Sequence, residues 1–385
     1  MRKGVEEFNG QRLQKALDAR MWSVSMLSEM SDVSSSMIYN MINNEKKPSY
    51  ETLNTVAESL KMPVSYFLKD KKHEDTHPFF RKFSRSTKTI RKSVEKKIEW
   101  IIEIKDFLSN YVEFPELNIP SFEVVQEKSP RYLKDDHIEN IAKQTREYWD
   151  VNSAVLPNAT VLLENNGFII TRFELGTEDI DALSKYEVRR DNAYVLLSTD
   201  KDSPSRSRFD IAHELGHAIL HKNISSKTFN FTKKENHDLL EDQANRFAGA
   251  FLLPEEEFTR DFQYPTLESY KTLKSKWKVS IGLLIYRSKQ LDLINERTYK
   301  NLQINISKRG WRKNEPLEDK IEEENPSLFK QALDLILKEE VVTLKEVIDK
   351  VGLSQSDIER VCGLDIGYLN KYRSSQDGPN LRLVK

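Results

Sequence analysis

The spacing of apolar residues along the chain predicts mostly helices. Leu53, Val56 and Leu60 fall on one helical face, because positions three, four and seven apart share a face at 3.6 residues per turn. Two β-rich runs bounded by turn residues, GFIITRF and NAYVLLS, predict strands. The helical periodicity recurs at 137–149, 209–221, 239–253, 280–294 and 328–337.

Changes in this pattern divide the chain into four predicted segments. Residues 1–70 are expected to form a compact helical domain, and residues 71–130 a basic helical connector. Strands followed by two helices predict an α+β domain over 131–310, and a C-terminal helical module follows over 311–385. The predicted fold class is therefore multidomain and mainly α: an all-α N-terminal domain, a central α+β domain and a C-terminal helical region.

Length and composition narrow the class of protein. The chain has 385 residues, of which 38% are hydrophobic, enough for two to four domains with real cores. No run approaches the roughly 18 apolar residues of a membrane span, and the N-terminal residues lack the apolar stretch of a secretory signal. The single cysteine, Cys362, excludes a disulfide framework. We therefore expect a cytoplasmic protein with no membrane partner.

The sequence His213-Glu214-Leu215-Gly216-His217 is the strongest chemical signal in the chain. Four residues of a helix advance about 400°, so the two histidines share one face and could hold one Zn²⁺ at about 2.0–2.1 Å. Glu214 lies next to the histidine face of the helix, where it could take a proton from a water beside the metal. The apolar flanks predict a buried helix. The alternative is a pair of surface histidines on an ordinary helix.

A zinc site of this type needs a third ligand. On the next helix, Glu241 borders the apolar stripe of Leu240 and Ala244, and an acid there needs a partner. A straight helix would leave His221 about 6 Å beyond His217 along the axis, which favours a hydrogen-bonded packing role. Asn245, one turn after Glu241, is expected to orient it. Weaker alternatives as ligands are Glu235, His237, Asp238 and Asp242.

These two helices carry a family resemblance. RFDIAHELGHAILH followed by EDQANRFAGAFLLP resembles the ImmA/IrrE family of zinc metallopeptidases, over roughly residues 135–316. The resemblance implies a zincin-like metallopeptidase domain that binds Zn²⁺ through His213, His217 and Glu241, with Glu214 as general base. Members of that family typically cleave a DNA-binding repressor, so the resemblance also implies a protein substrate of this kind.

A second motif predicts DNA recognition. Ser28, Asp32 and Ile38 have the spacing of a helix-turn-helix, and Asp32 tolerates the left-handed turn better than most residues. Ser34 is expected to cap the second helix. With its neighbours this segment resembles the Cro/cI-type (XRE) helix-turn-helix domain over about residues 8–68. The expected contacts to base edges of an operator-type duplex are Ser34, Ser35, Ser36, Tyr39, Asn40 and Asn43.

Charge counts limit how strongly this domain should bind DNA. Residues 1–70 carry nine basic and nine acidic side chains, and phosphate neutralisation supplies most non-specific affinity. Between Arg81 and Trp100 there are eight basic and two acidic residues, a net charge of +6. This run is either a solvated helix face or a phosphate-contacting linker, and formation of a homodimer would also strengthen binding. The alternative is that residues 1–70 mediate dimerisation or partner contacts.

The same helix-turn-helix spacing recurs faintly at Ile348, Gly352 and Ile358. Because Asp349, Asp357 and neighbouring acids surround it, we expect a protein-contact module rather than a second DNA-binding domain.

Together these features predict a zinc-dependent endopeptidase coupled to a DNA-binding domain, which cleaves a repressor to control transcription of mobile-element or stress genes. Two alternatives stay open. One is a non-proteolytic or antitoxin-like regulator that uses the metallopeptidase fold as a sensor or partner-binding module. The other is a regulator whose peptidase domain cuts its own chain.

Overall fold

The computed structural model describes residues 4–69, 87–127, 130–187, 190–201, 203–224, 229–230 and 233–373. The predicted fold class is confirmed: these residues are mainly helical, with a small sheet in the central region. Among them, no helix has the length and apolar composition to cross a membrane.

Four helices build the N-terminal domain, followed by a 3₁₀ turn at Val64–Leu68. They are α1 (Gly10–Arg20), α2 (Val24–Ser31), α3 (Ser35–Ile42) and α4 (Tyr50–Ser59). Serine or asparagine caps each one: Asn9, Ser23, Ser34 and Ser49 each accept a hydrogen bond from a first-turn backbone N–H. Local sequence therefore specifies where each of these helices begins.

The remaining elements run from a long helix through the central domain to the C-terminal module. The helices are α5 (Lys88–Leu108), α6 (Glu123–Glu127), α7 (Asp135–Tyr148), α8 (Ala159–Asn165), α9 (Pro204–Leu220), α10 (Lys234–Leu252), α11 (Glu255–Asp261), α12 (Leu267–Trp277), α13 (Ile281–Gln290), α14 (Glu296–Lys308), α15 (Leu328–Lys338), α16 (Leu344–Val351) and α17 (Gln355–Val361). Between α8 and α9 lie the strands β1 (Phe168–Phe173), β2 (Ala182–Glu187) and β3 (Asn192–Ser198).

The sheet has the order β1-β3-β2, with β1 parallel and β2 antiparallel to β3. Both predicted strands, β1 and β3, are present. The prediction did not include β2, whose buried positions alternate with half-buried ones and include Lys185 and Glu187. Its sequence lacks the apolar run that marks a strand buried on both faces.

Two hydrophobic cores meet at this sheet. One face, which includes Ile170 and Val195, packs into the core of the central domain with α9 and α10. The opposite face, which includes Ile169 and Leu196, packs into a second core with α5, the N-terminal helices and the C-terminal module. The segments 1–70, 71–130 and 311–385 thus contribute side chains to one shared core.

Helix α5 is the central element of that shared core. Val94, Ile98, Ile101 and Phe107 are among its buried side chains, and it contacts α1, α15, α16 and α17. Arg12 of α1 reaches Glu103 of α5 at 2.7 Å. The basic connector predicted here therefore contains an amphipathic helix that joins the N-terminal domain to the sheet.

An acidic segment before α15 forms hydrogen bonds with the N-terminal ends of several helices of the central domain. We call residues 315–327 the acidic strap. The carboxylate of Glu315 accepts hydrogen bonds from the first two backbone N–H groups of α13. Glu318 accepts a hydrogen bond from the backbone N–H of Ser205 at the start of α9. Glu324 accepts hydrogen bonds from the first two backbone N–H groups of α8. Carboxylates at helix N-termini are favourable because the exposed N–H groups there carry partial positive charge. The sequence motifs gave no sign of this arrangement.

Candidate functional site

Helices α9 and α10 lie against each other and carry the predicted metal ligands. A Cβ atom added to Gly216 would lie 3.2 Å from the Cα and carbonyl oxygen of Ala244, closer than side chains usually pack. The glycine inside the motif therefore permits the close approach of the two helices. That approach brings Glu241 of α10 to the histidine face of α9.

His213, His217 and Glu241 form the one group of three or more potential metal ligands among the described residues. The Nε2 atoms of the two histidines are 3.1 Å apart. Oε2 of Glu241 lies 3.6 Å from His213 Nε2, and Oε1 of Glu241 lies 3.5 Å from His217 Nε2. A tetrahedral ion with bonds of about 2.0–2.1 Å needs ligand atoms about 3.4 Å apart. One ligand atom from each of the three residues lies within 4.8 Å of the others, close enough for a single ion, and Glu241 Oε2 is buried and accepts no hydrogen bond from any described residue.

Asn245 contacts the cluster in a way that differs from the prediction. Its Oδ1 lies 2.9 Å from Nδ1 of His213, so it orients a histidine rather than Glu241. The amide oxygen can only accept a hydrogen bond. It therefore favours the form of His213 with the proton on Nδ1 and the lone pair on Nε2.

His221 lies behind the cluster and is not one of its members. Its Nδ1 is 2.9 Å from Nδ1 of His217, on the ring edge away from Glu241, and its Nε2 is 3.0 Å from Oε1 of Gln243. Burial lowers the pKa of His221 to about 3. The hydrogen-bonded packing role expected from helix geometry agrees with these contacts.

The other acidic candidates lie outside this cluster or at its edge. Glu214 is 6% exposed and follows His213 directly on α9. Glu235, Asp238 and Asp242 are exposed on α10. His237 is the nearest alternative, with its Nε2 3.9 Å from Oε1 of Glu241.

The helix-turn-helix prediction is confirmed in its local geometry. Asp32 has φ +56° and ends α2, and Ser34 accepts a hydrogen bond from Met37 N to cap α3. Ile38 and Met41 of α3 are buried in the domain core. The predicted base-contacting residues lie at partly or fully exposed positions on α3 and at its two ends: Ser34, Ser35, Ser36, Tyr39, Asn40 and Asn43.

Many of the cations in this domain are used inside the molecule. Arg12 and Lys15 are buried against Glu103, and Arg20 pairs with Asp357 of the C-terminal module at 2.7 Å. Lys47 donates to the carbonyl oxygen of Phe8. These contacts reduce the positive charge available to phosphates below the count given by the sequence.

The basic run after Arg81 is only partly described. Arg81, Lys82 and Arg85 lie outside the described residues. Lys88 and Lys92 are exposed near the start of α5, and Lys92 lies 3.9 Å from the carboxylate of Asp18. Lys96 pairs with Glu99 at 2.7 Å, and Lys97 lies over the ring of Phe173.

The faint C-terminal motif forms α16, a left-handed turn at Gly352 and α17. Ile358 is buried, and the carboxylate of Glu359 accepts hydrogen bonds from the backbone N–H groups of Gly367 and Leu369. Helix α17 contacts α5 and β1, so at least one of its faces packs within the molecule. These contacts all lie within the chain, and a role of this module in contacting another protein stays a prediction.

Comparison with protein families supports both resemblances. Residues 164–289 match the M78 peptidase model, described as the IrrE N-terminal-like domain. Residues 13–67 match a helix-turn-helix model. No curated protein matches the chain. The chain thus joins a DNA-binding type of domain to a peptidase-like domain, an arrangement that fits a DNA-binding regulator.

Proposed function

We propose that this protein is a zinc-dependent endopeptidase that cleaves a DNA-binding repressor in the cytoplasm. The observation that carries the proposal is the convergence of His213, His217 and Glu241, whose ligand atoms lie within 4.8 Å of one another, close enough for a single ion. The match of residues 164–289 to a peptidase family supports it independently.

The residues of α9 and α10 can divide the work of peptide hydrolysis. A bound zinc ion would supply a Lewis acid that polarises the scissile carbonyl and makes water more acidic. His213, His217 and Glu241 would hold that ion. Glu214 would accept the proton of the attacking water at its carboxylate and deliver it to the leaving amine nitrogen. The buried position of Glu214 would keep competing bulk water away from this proton transfer.

The sheet offers a place for an extended peptide substrate. Strand β2 is at an edge of the sheet, pairs only with β3 among the described strands, and contacts α9. An extended segment can add to such an edge through backbone hydrogen bonds, largely independently of its side chains. We therefore infer that the substrate lies along β2, with the scissile bond at the histidine face of α9.

The N-terminal domain would bring the peptidase to its substrate. The exposed residues of α3, among them Tyr39 and Asn40, would read base edges of an operator that the repressor also occupies. The shared core between this domain and the sheet would hold the peptidase in a fixed orientation on that DNA. The repressor would then be cut where it is bound.

The experiment is incubation of the zinc-loaded full chain with repressors encoded by neighbouring genes, followed by mass spectrometry. The Glu214→Gln variant serves as the control, because glutamine keeps the shape of the side chain but cannot take the proton. We expect defined cleavage products with the wild type only. Absence of cleavage of every repressor and of the chain itself, with zinc bound, would favour the sensor alternative.

A further inference from the structure

We propose that Lys222 forms a subsite that binds an acidic side chain of the extended peptide substrate, at the end of β2 that lies beside the C-terminal end of α9. This subsite rests on the proposed function, because it requires a peptide that lies along β2. Lys222 would thereby select aspartate or glutamate at one position of the substrate.

Lys222 lies between the end of α9 and the edge strand. Its neighbour His221 is the C-cap of that helix, and Lys222 Nζ is 5.6 Å from the centroid of the Tyr186 ring. Tyr186 and Ala182 of β2 pack against the core that contains α9. Successive strand residues point to opposite faces, and Leu183 accordingly packs into the other core. Lys222 is therefore on the α9 side of β2, beside the edge where the peptide would bind.

The position of Lys222 along α9 suits a substrate side chain close to the scissile bond. Lys222 follows His217 by five residues, which corresponds to about 7.5 Å at the helical rise of about 1.5 Å per residue. An extended peptide advances about 3.3 Å per residue. The acidic side chain would therefore belong to a residue about two or three positions from the bond at the histidine face.

The ammonium group of Lys222 has an aromatic neighbour but no anionic partner. Among the described residues, no carboxylate forms an ion pair with it. Burial lowers the pKa of Lys222 below its ordinary value of 10.5, because desolvation disfavours the charged form, and the charge of Asp191 only partly offsets this effect. A carboxylate of a bound peptide would supply the missing anion and stabilise the charged ammonium.

The ring of Tyr186 holds this ammonium close to the strand. A cation within about 6 Å of a ring centroid is attracted by the aromatic face, and the Tyr186 hydroxyl in turn donates a hydrogen bond to Asp191. The two other described lysines of this region are already used, because Lys201 pairs with Asp181 at 2.8 Å and Lys185 is buried. Lys222 is thus the lysine here that can meet a carboxylate of the substrate.

The test measures peptide binding to the zinc-loaded full chain with Glu214→Gln, which is expected to bind a peptide without cutting it. The probes are Val- and Thr-rich peptides of one sequence that carry glutamate, glutamine or lysine at a single position. Sets of these peptides place that position at successive points along the sequence. In one set, we expect the glutamate peptide to bind roughly 5–10-fold more tightly than the glutamine peptide, the range for a charge pair at a half-buried site.

Variants of Lys222 in the same chain separate recognition of charge from packing on the Tyr186 ring. Lys222→Gln should abolish the preference for glutamate, and Lys222→Glu should transfer the preference to the lysine peptide. Lys222→Arg should keep the preference for glutamate. Lys300→Gln removes an exposed lysine of α14, and as the matched control it should leave the preference unchanged.

Equal binding of the glutamate and glutamine peptides at every position, or binding of no peptide, would overturn the subsite. A glutamate preference that survives Lys222→Glu would do the same. The zinc-loaded wild type tests the proposed function separately. If it cuts none of the peptides that bind with the expected preference, the peptidase function fails and the subsite stands. If it cuts them without that preference, the subsite alone fails.

Discussion

Replacing Glu241 by alanine should weaken zinc binding by at least about 100-fold. Structural zinc sites of four ligands bind with about 10–16 kcal/mol, which gives roughly 3 kcal/mol for each ligand. Since about 1.4 kcal/mol corresponds to a factor of ten, loss of one ligand costs about two orders of magnitude. The carboxylate of Glu241 lies beside both histidines, with Oε2 3.6 Å from His213 Nε2 and Oε1 3.5 Å from His217 Nε2.

The assay is chelator competition with zinc analysis of the dialysed protein. Asp242→Ala is the matched control, because it removes the adjacent acid from the exposed side of the same helix and should leave zinc affinity unchanged. If Glu241→Ala binds zinc as tightly as the wild type, Glu241 is not a ligand. His237, whose ring lies 3.9 Å from the Glu241 carboxylate, would then be the first replacement to test.

Three further predictions concern the buried ion pairs of the fold and its binding to DNA. Glu324→Gln should lower the free energy of unfolding by about 3–5 kcal/mol, measured by denaturant titration, because it leaves Arg208 as a buried charge without its carboxylate. Burial raises the pKa of Glu103, but the charges of Lys15 and Arg12 outweigh it and hold this pKa below its ordinary value of 4.5. The ionised carboxylate of Glu103 therefore stabilises the fold fully above pH 4.5, and this stabilisation is lost as the pH falls through the lowered pKa. Glu103→Gln should for this reason flatten the acid side of a plot of stability against pH. Neutralising Lys88 and Lys92 to glutamine should reduce the slope of log DNA affinity against log salt by about 0.9 for each phosphate that these lysines neutralise in the wild type, measured on an operator-sized duplex.

Each of these has a control and a contradicting result. Glu322→Gln changes an exposed acid of the same strap and should have little effect on stability; an equal loss of stability in both variants would show that Glu324 has no special role. An unchanged acid limb in Glu103→Gln would mean that its ion pairs do not contribute. An unchanged slope of log affinity against log salt would mean that the lysines at the start of α5 face solvent and do not contact DNA phosphates. Tyr39→Ala should instead reduce preference between sequences.

The DNA-binding experiment needs the full chain because α5 is packed against the sheet and the C-terminal module, which the sequence did not reveal. A truncated fragment ending near residue 105 would separate α5 from the C-terminal module and from the sheet. Val94, Ile98 and Ile101, which are buried in the shared core, would be exposed in such a fragment. Loss of DNA binding could then reflect unfolding rather than loss of charge.

The parts of the fold that local patterns specify could be predicted from the sequence. The apolar stripe of α10, which includes Ala244 and Phe247, is buried, and Asp32 adopts the left-handed turn conformation that its spacing required. Glu241, the third member of the metal cluster, could also be predicted from the sequence, because an acid beside a buried helical face needs a partner. In each case the signal lies within one or two turns of one helix.

The parts that depend on contacts between distant segments could not be predicted. Lys185 alternates with half-buried residues in β2, so its strand has no continuous apolar run. The sequence of the acidic strap is typical of a charged, solvent-exposed stretch, but Glu324 is buried. Its carboxylate accepts a hydrogen bond from the backbone N–H of Ala159, which is 165 residues away in the sequence. No local periodicity records such pairings.

The measurement that tests the central claim most directly is a paired assay of the wild type and Glu214→Gln against a confirmed repressor substrate, with zinc content determined on the same samples. We expect one zinc per chain in both proteins and a cleavage rate about 10²–10⁴-fold lower in the variant, the range for loss of a general base. Cleavage by Glu214→Gln at the wild-type rate, with zinc retained, would contradict the assignment of Glu214 and with it the peptidase mechanism proposed for α9 and α10.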